Sequence, residues 1–190
     1  VKVAVINYDA GNTRSVMYAL RRLGVEPVLT ADAGELLSAD RVVFPGVGHA
    51  AWAMEQLKAR GLDTVIPTLT CPFLGICLGM QIMCRFSEEG NVPCLGIFNA
   101  TVQRFPESVG KVPHMGWNTV QGEAPAMNGR YFYFVHSYYV PLVPETMATS
   151  QYPFAFSAAL KKDNFTGVQF HPEKSGPDGA LLLKQFLLQS

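Results

Sequence analysis

Pro72-Phe73-Leu74-Gly75-Ile76-Cys77-Leu78-Gly79-Met80-Gln81 joins an apolar run to a helix-forming segment through a cysteine with a glycine two positions away on each side. Pro72 to Ile76 reads as a strand and a helix starts near Leu78, so the chain must turn at Cys77. The small flanking residues let the backbone turn sharply and leave the cysteine exposed above a sheet, which is the strand–turn–helix logic of a nucleophile elbow. Sulfur would be the nucleophile. The following helix brings a positive dipole end that favours thiolate over thiol, and the N–H of Leu78 is available to an oxyanion hole. G-x-C-x-G fits equally a buried small cysteine between glycines that serve close packing, so further residues must decide.

Working outward, the segment before Cys77 alternates strand and helix. Val1 to Ile6 is a β-branched strand, Asp9 to Asn12 a polar loop, and Val16, Leu20 and Leu23 recur at helical spacing up to a cap at Gly24. Val25 to Thr30 reads as strand two, Asp32 to Leu37 as a short helix and Arg41 to Phe44 as a buried strand three. An Ala-rich helix follows from His49 to Arg60, then a helical stretch from Asp63 to Thr70. Such alternation favours a parallel sheet. Beyond Gly90, segments near Asn99 to Phe105, Trp117 to Val120, Arg130 to His136 and Phe154 to Leu160 succeed one another without long helices, as antiparallel strands do. Asn164 to Phe170 makes a last strand and Ala180 to Leu188 a closing, largely buried helix. The expected fold is α/β: a mostly parallel central sheet with helices on both faces, plus an antiparallel strand section in the C-terminal half. One domain covering residues 1–190 suffices for it.

Composition narrows the function classes. Fifteen Lys plus Arg balance fifteen Asp plus Glu, so no net field draws the chain to nucleic acid or an anionic membrane, and a small ligand is expected. Hydrophobic residues reach 48%, yet no apolar run approaches the ~18 residues of a membrane span. The start of the chain lacks the basic flank of a secretory signal, and a cytoplasmic location is expected. Cys71, Cys77, Cys84 and Cys94 form no C-x-x-C pair, which argues against a metal site or a disulfide framework.

Gly167-Val168-Gln169-Phe170-His171-Pro172-Glu173-Lys174-Ser175 ends the last expected strand. In extended geometry residues i and i+2 point to the same side, ~6.6 Å apart, so Glu173 can approach His171 while Pro172 stiffens the link. One imidazole nitrogen then faces the acid and the other the thiol. Alone, His171 could be a structural histidine at a strand end; with the elbow it becomes a candidate base. His49, His114 and His136 carry no such pattern and are assigned no base chemistry.

Pro45-Gly46-Val47-Gly48 follows a buried strand and precedes a helix. Gly46, Gly48 and Ala51 match G-x-G-x-x-A, but Asp63 sits at a helix start rather than at the strand end where a dinucleotide fingerprint needs its acid. The better reading is a second half of the oxyanion hole, with the Val47 N–H beside that of Leu78. Glycines on both sides of Val47 also let that peptide plane turn over at little steric cost.

The order Cys, His, Glu, with histidine and acid two residues apart, resembles the class I glutamine amidotransferases. Gly11-Asn12 with Arg14-Ser15-Val16, Pro45 to His49, Lys111-Val112-Pro113-His114-Met115-Gly116-Trp117-Asn118, Phe134-Val135-His136-Ser137-Tyr138 and Gln169 to Ser175 narrow the resemblance to the glutaminase subunits of imidazole glycerol phosphate synthases. Asn7-Tyr8-Asp9-Ala10 departs from that pattern, which more often has Asp-Tyr-Gly there. The resemblance implies glutamine as substrate, no cofactor and no metal, with ammonia passed to a (β/α)8-barrel cyclase in a heterodimer of histidine biosynthesis. It makes Cys77 the nucleophile, His171 the base and Glu173 its support. It assigns Gly46, Gln81, Ser137 and Tyr138 to glutamine binding and places Met115 and Trp117 near the partner. Core packing is the competing reading of those last two. Glutaminases of pyridoxal phosphate, anthranilate or purine synthesis, a cysteine peptidase or thioesterase, and a binding module with a fossil site remain alternatives.

Overall fold

A computed structural model describes residues 1–9 and 12–189, so that Ala10 and Gly11 of the first loop lie outside the described residues. The chain opens with β1 (Val3–Ile6), α1 (Thr13–Arg22), β2 (Val28–Thr30), α2 (Ala33–Leu37), β3 (Arg41–Phe44), α3 (Ala50–Ala59), α4 (Leu62–Val65), β4 (Phe73–Ile76) and α5 (Leu78–Ile82). It continues with β5 (Cys84–Ser87), β6 (Val92–Pro93), β7 (Phe98–Arg104), β8 (His114–Gly122), β9 (Arg130–His136), β10 (Tyr138–Tyr139), β11 (Thr146–Gln151), β12 (Ala155–Lys162), β13 (Phe165–Val168) and α6 (Gly176–Leu188).

Strand β1 shows why the sheet is covered on both faces. All four of its residues are fully buried. Val3 and Val5 join Val16 and Leu20 of α1 and Leu182 and Leu183 of α6 in one apolar layer. Ala4 and Ile6 join Leu36 of α2 and Met54 and Leu57 of α3 in the other. A strand apolar at every position is what a parallel sheet between two helical layers requires. Asp32 starts α2 by accepting a bond from Glu35 N at 2.8 Å, and Gly24, at φ +82, follows the end of α1 as its position in the pattern predicts.

The main sheet runs β2-β1-β3-β4-β13-β12-β11-β8-β9, with pairings parallel from β2 through β13 and antiparallel from β13 through β9. A separate four-stranded sheet, β10-β7-β5-β6, stands beside it. Strand β11 was not expected, because Thr146 to Gln151 has no apolar stripe; its inward residues are Ala148 and Ser150, small enough to pack within the sheet. Helix α6 begins at Gly176, ahead of Ala180, since Pro177 is accommodated in a first helical turn. Among the described residues, no helix is long and apolar enough to cross a membrane.

Three neighbouring parallel strands, β3, β4 and β13, aim their C-terminal ends at one place. Their register pairs Phe44 with Gly75 and Ile76 with Val168. The Pro45–Gly48 loop, Cys77 and His171 therefore leave the same sheet edge, where open α/β sheets bind ligands. Glycines make the approach close: a Cβ on Gly46 would stand 2.5 Å from Gly79 N, and one on Gly79 would run into the Phe44 carbonyl.

Candidate active site

Cys77 holds φ 53° and ψ −107°, a sparsely populated conformation for a residue with a side chain. Such backbone costs about 1–3 kcal/mol and persists only where its surroundings hold it. Here Cys77 N donates to Val168 O at 2.7 Å and Cys77 O accepts from Gln81 N at 3.1 Å, clamping the elbow between β13 and α5. Leu78 N, at the first position of α5, has no acceptor within the helix. Cys77, Leu78, Val47, Gly48 and Gln81 line a cleft of about 300 Å³ whose far wall is Val135, His136, Ser137 and Tyr138. Gly46 lies behind that lining, packed on α5.

His171 is fully buried and triply fixed. Its N donates to Tyr133 O at 2.9 Å, and its carbonyl accepts from Ser175 Oγ at 2.6 Å. Its Nδ1 lies 2.8 Å from Glu173 Oε1. The pairing of histidine and acid expected from their spacing is present, but its cause differs. Pro172–Lys174 is a 3-10 turn rather than extended chain, so the carboxylate folds back under the ring. Asn12 Nδ2 donates to the same Oε1 at 2.7 Å. With Nδ1 committed, Nε2 is the nitrogen left for Cys77, and among the described residues it has no hydrogen-bond partner. Burial alone would discourage a charged ring; its interactions with Cys77, and with Glu173 bonded to Nδ1, outweigh it and raise the His171 pKa to about 10. An imidazole held in its charged form is the kind of neighbour that makes a thiol easier to ionise.

Other polar groups close the site. Gln169, fully buried, donates from Nε2 to Cys77 Sγ at 3.6 Å and accepts at Oε1 from Gln81 Nε2 at 2.9 Å. Glu89 brings a carboxylate into the cleft lining; its Oε2 accepts from Ala50 N at 2.9 Å, and burial raises its pKa. Sequence reasoning assigned Asn12, Glu89 and His136 no place in the site and Gln169 no role of its own. Only their contacts and their place around the cleft, visible after folding, single them out. Met115 and Trp117 stand outside the cleft and are 56% and 57% exposed, which overturns the reading of Trp117 as core. Among the described residues, no group of three or more His, Cys, Asp or Glu is arranged to hold a metal ion.

A thiol on a strand–turn–helix elbow, beside a buried histidine–acid pair at the C-terminal edge of an α/β sheet, is the layout of a cysteine hydrolase. More particularly, the chain belongs to the class I glutamine amidotransferase family, whose family model matches residues 4–190, and is a glutamine amidohydrolase. It is 57% identical to the imidazole glycerol phosphate synthase subunit HisH of Bacteroides fragilis strain YCH46, over 98% of this chain and 99% of that protein. The subunit of the same name from Pectobacterium atrosepticum is 47% identical over the same shares. Among solved structures, that of one glutamine amidotransferase has a TM-score of 0.80 at 18% identity, covering 98% of this chain and 97% of its own. A glutamine amidotransferase from Thermotoga maritima reaches 0.61 at 19% identity, over 98% of this chain and 82% of its own. At those identities the two structures speak for the fold alone.

Proposed function

We propose that the chain is the glutaminase subunit of an imidazole glycerol phosphate synthase, acting in the cytoplasm through a Cys77–His171–Glu173 triad. The Cys77 thiolate adds to the side-chain amide carbon of glutamine. The His171 imidazolium gives its proton to the departing nitrogen, so the C–N bond breaks, ammonia leaves and a γ-glutamyl thioester remains. Water then gives a proton to His171 and attacks the thioester, releasing glutamate and restoring the thiolate. Glu173 orients the ring without itself being protonated. Backbone N–H groups of Val47 and Leu78 serve the two tetrahedral intermediates, each contributing about 10²–10³ in rate. Gln81, Ser137 and Tyr138 hold the amino-acid end of glutamine, Glu89 meets its α-ammonium, and Gly46 supplies the close packing that sets the oxyanion loop.

Ammonia passes to a (β/α)8-barrel cyclase that makes imidazole glycerol phosphate and AICAR, docked on the face bearing Met115 and Trp117. Gly48 stands at φ +124°, which side chains rarely adopt, and this supports a Val47–Gly48 peptide whose orientation the loaded partner selects. The observation that carries the reading is an elbow cysteine that lines the cleft, backed at the same sheet edge by the buried His171–Glu173 pair. Cys77→Ala is expected to abolish glutamine hydrolysis while keeping the fold and partner binding; turnover within tenfold of the unaltered chain would sink the assignment. Equal rates for the free chain, its complex and the complex with nucleotide would sink the switch alone.

A further inference from the structure

At the far wall of the cleft two imidazoles meet. His114 and His136 are cross-strand partners on β8 and β9, with His114 Nδ1 at 2.9 Å from His136 Nε2. Burial lowers their pKa values to about 4 and about 3, so near pH 7 both rings are neutral, with one N–H and one acceptor nitrogen each. Their protons can be placed from the ends of the chain they form. The Tyr138 carbonyl can only accept, so His136 Nδ1, 2.7 Å away, donates to it. His136 Nε2 must then accept, and His114 Nδ1 donates. That leaves His114 Nε2 to accept from Asn118 Nδ2 at 3.3 Å, whose other hydrogen goes to Gln151 O at 3.0 Å. One arrangement satisfies every joint.

The Tyr138 carbonyl takes a second donor, Gln81 Nε2 at 3.0 Å. The other hydrogen of that amide goes to Gln169 Oε1, and Gln169 Nε2 in turn donates to Cys77 Sγ. A continuous run of hydrogen bonds thus connects Asn118 to the nucleophile. It begins on β8, the strand whose other face carries the exposed Met115 and Trp117.

We propose that His114 and His136 are positioning residues for the glutaminase reaction: their ring-to-ring bond sets the Tyr138 carbonyl and, through it, the Gln81–Gln169 pair that donates to the Cys77 sulfur. Neither ring exchanges a proton with the reacting atoms. Their effect is geometric, because a buried amide whose acceptor shifts loses its partner outright and the next bond in the network loosens with it. A sulfur without its donor is less favoured as thiolate, and the thiolate is the reactive form. The identity of the reaction rests on the glutaminase reading, whereas the network rests on hydrogen bonds alone.

The test compares His114→Phe, which keeps a flat ring and removes both bonds, with His114→Asn, whose amide N–H replaces the donor toward His136. Two rates are measured on the full chain: alkylation of Cys77 by iodoacetamide, followed by mass spectrometry of its peptide, and glutamine hydrolysis. His114→Phe is expected to slow both by about fivefold or more, as loss of one buried bond predicts, with His114→Asn within about twofold of the unaltered chain. Unchanged alkylation in His114→Phe, or equal slowing in both variants, would overturn the proposal. If His114→Phe does not melt cooperatively, His136→Asn against His136→Leu makes the same comparison at the Tyr138 carbonyl, and equal slowing again overturns it. Should the alkylation order hold in a chain that never hydrolyses glutamine, the glutaminase reading fails and the network stands.

Discussion

Asn12 Nδ2 lies 2.7 Å from Glu173 Oε1, so the residue that precedes α1 bonds the acid 161 positions further along the chain. The same oxygen receives His171 Nδ1, and the carboxylate is therefore oriented from two sides. Asn12→Ala is expected to reduce kcat for glutamine by about five- to twentyfold with little change in KM, as loss of a charge-assisted bond that orients the base should do. Glu173→Gln should cost more and His171→Ala more again. Steady-state kinetics of the three variants checks the order; an Asn12→Ala enzyme as fast as the parent would mean that His171 alone fixes the acid.

Gly79→Ala should be among the most damaging single methyl additions in the molecule. Its Cβ would meet the carbonyl of Phe44, which is main chain and cannot swing away as a flexible side chain could. Overpacking of this kind costs about 1–3 kcal/mol or more and should also displace the Pro45–Gly48 loop from α5. A urea melt coincident with that of the parent would show that the helix and loop can separate at no cost.

Much of this organisation was legible before folding, for identifiable reasons. Arg41–Phe44 and Arg130–His136 have the bounds expected of them, the first as a short apolar run and the second by its alternation of buried Phe132, Phe134 and His136. Cys77 and His171 were legible because local motifs carry them. Strands β5, β6, β10 and β11 were not, since two have only two residues and the inward positions of β11 are small or polar. Gln169 and the His114–His136 pair escaped for another reason. Their roles depend on partners across the sheet, which only the β8–β9 register and the approach of β13 to β4 bring within bonding distance.

Stability should be greatest near neutral pH, because buried histidines act in opposite directions. His114 and His136 drop from an ordinary 6.5 to about 4 and about 3 on folding. Between those values the unfolded chain binds more protons, so their contribution is complete above about pH 6.5 and is lost as pH falls toward 4. His171 rises to about 10, so its contribution is complete below about 6.5 and is lost as pH rises through 10. Thermal melts from pH 4 to 10 should trace both limbs. A His114→Phe/His136→Phe chain should have a shallower acid limb, and Cys77→Ala, which removes an interaction that raises the His171 pKa, a shallower alkaline limb. Limbs of unchanged slope in both variants would assign the pH dependence to other groups.

Trp117 offers the sharpest test of the partner surface. It is 57% exposed on β8, and its cross-strand neighbour Tyr133 meets it edge-on, with ring centroids 6.2 Å apart. Met115 and Tyr131, 56% and 57% exposed on the same two strands, extend the strip along the outer edge of the sheet. An exposed aromatic contributes little to folding, so Trp117→Ala should leave the free chain within about 0.5 kcal/mol of the parent. The same ring, once covered, is the kind of side chain that dominates association, and its removal should weaken binding to a (β/α)8-barrel cyclase by about 2 kcal/mol or more, roughly thirtyfold. Because β9 continues into the Ser137–Tyr138 wall of the cleft, glutamine turnover by the saturated complex should fall as well, while turnover by the free chain stays where it was. Denaturant melts of the free chain and titration of the complex separate these effects. A large loss of stability in the free chain would return Trp117 to a packing role, and unchanged affinity would move the partner to another face.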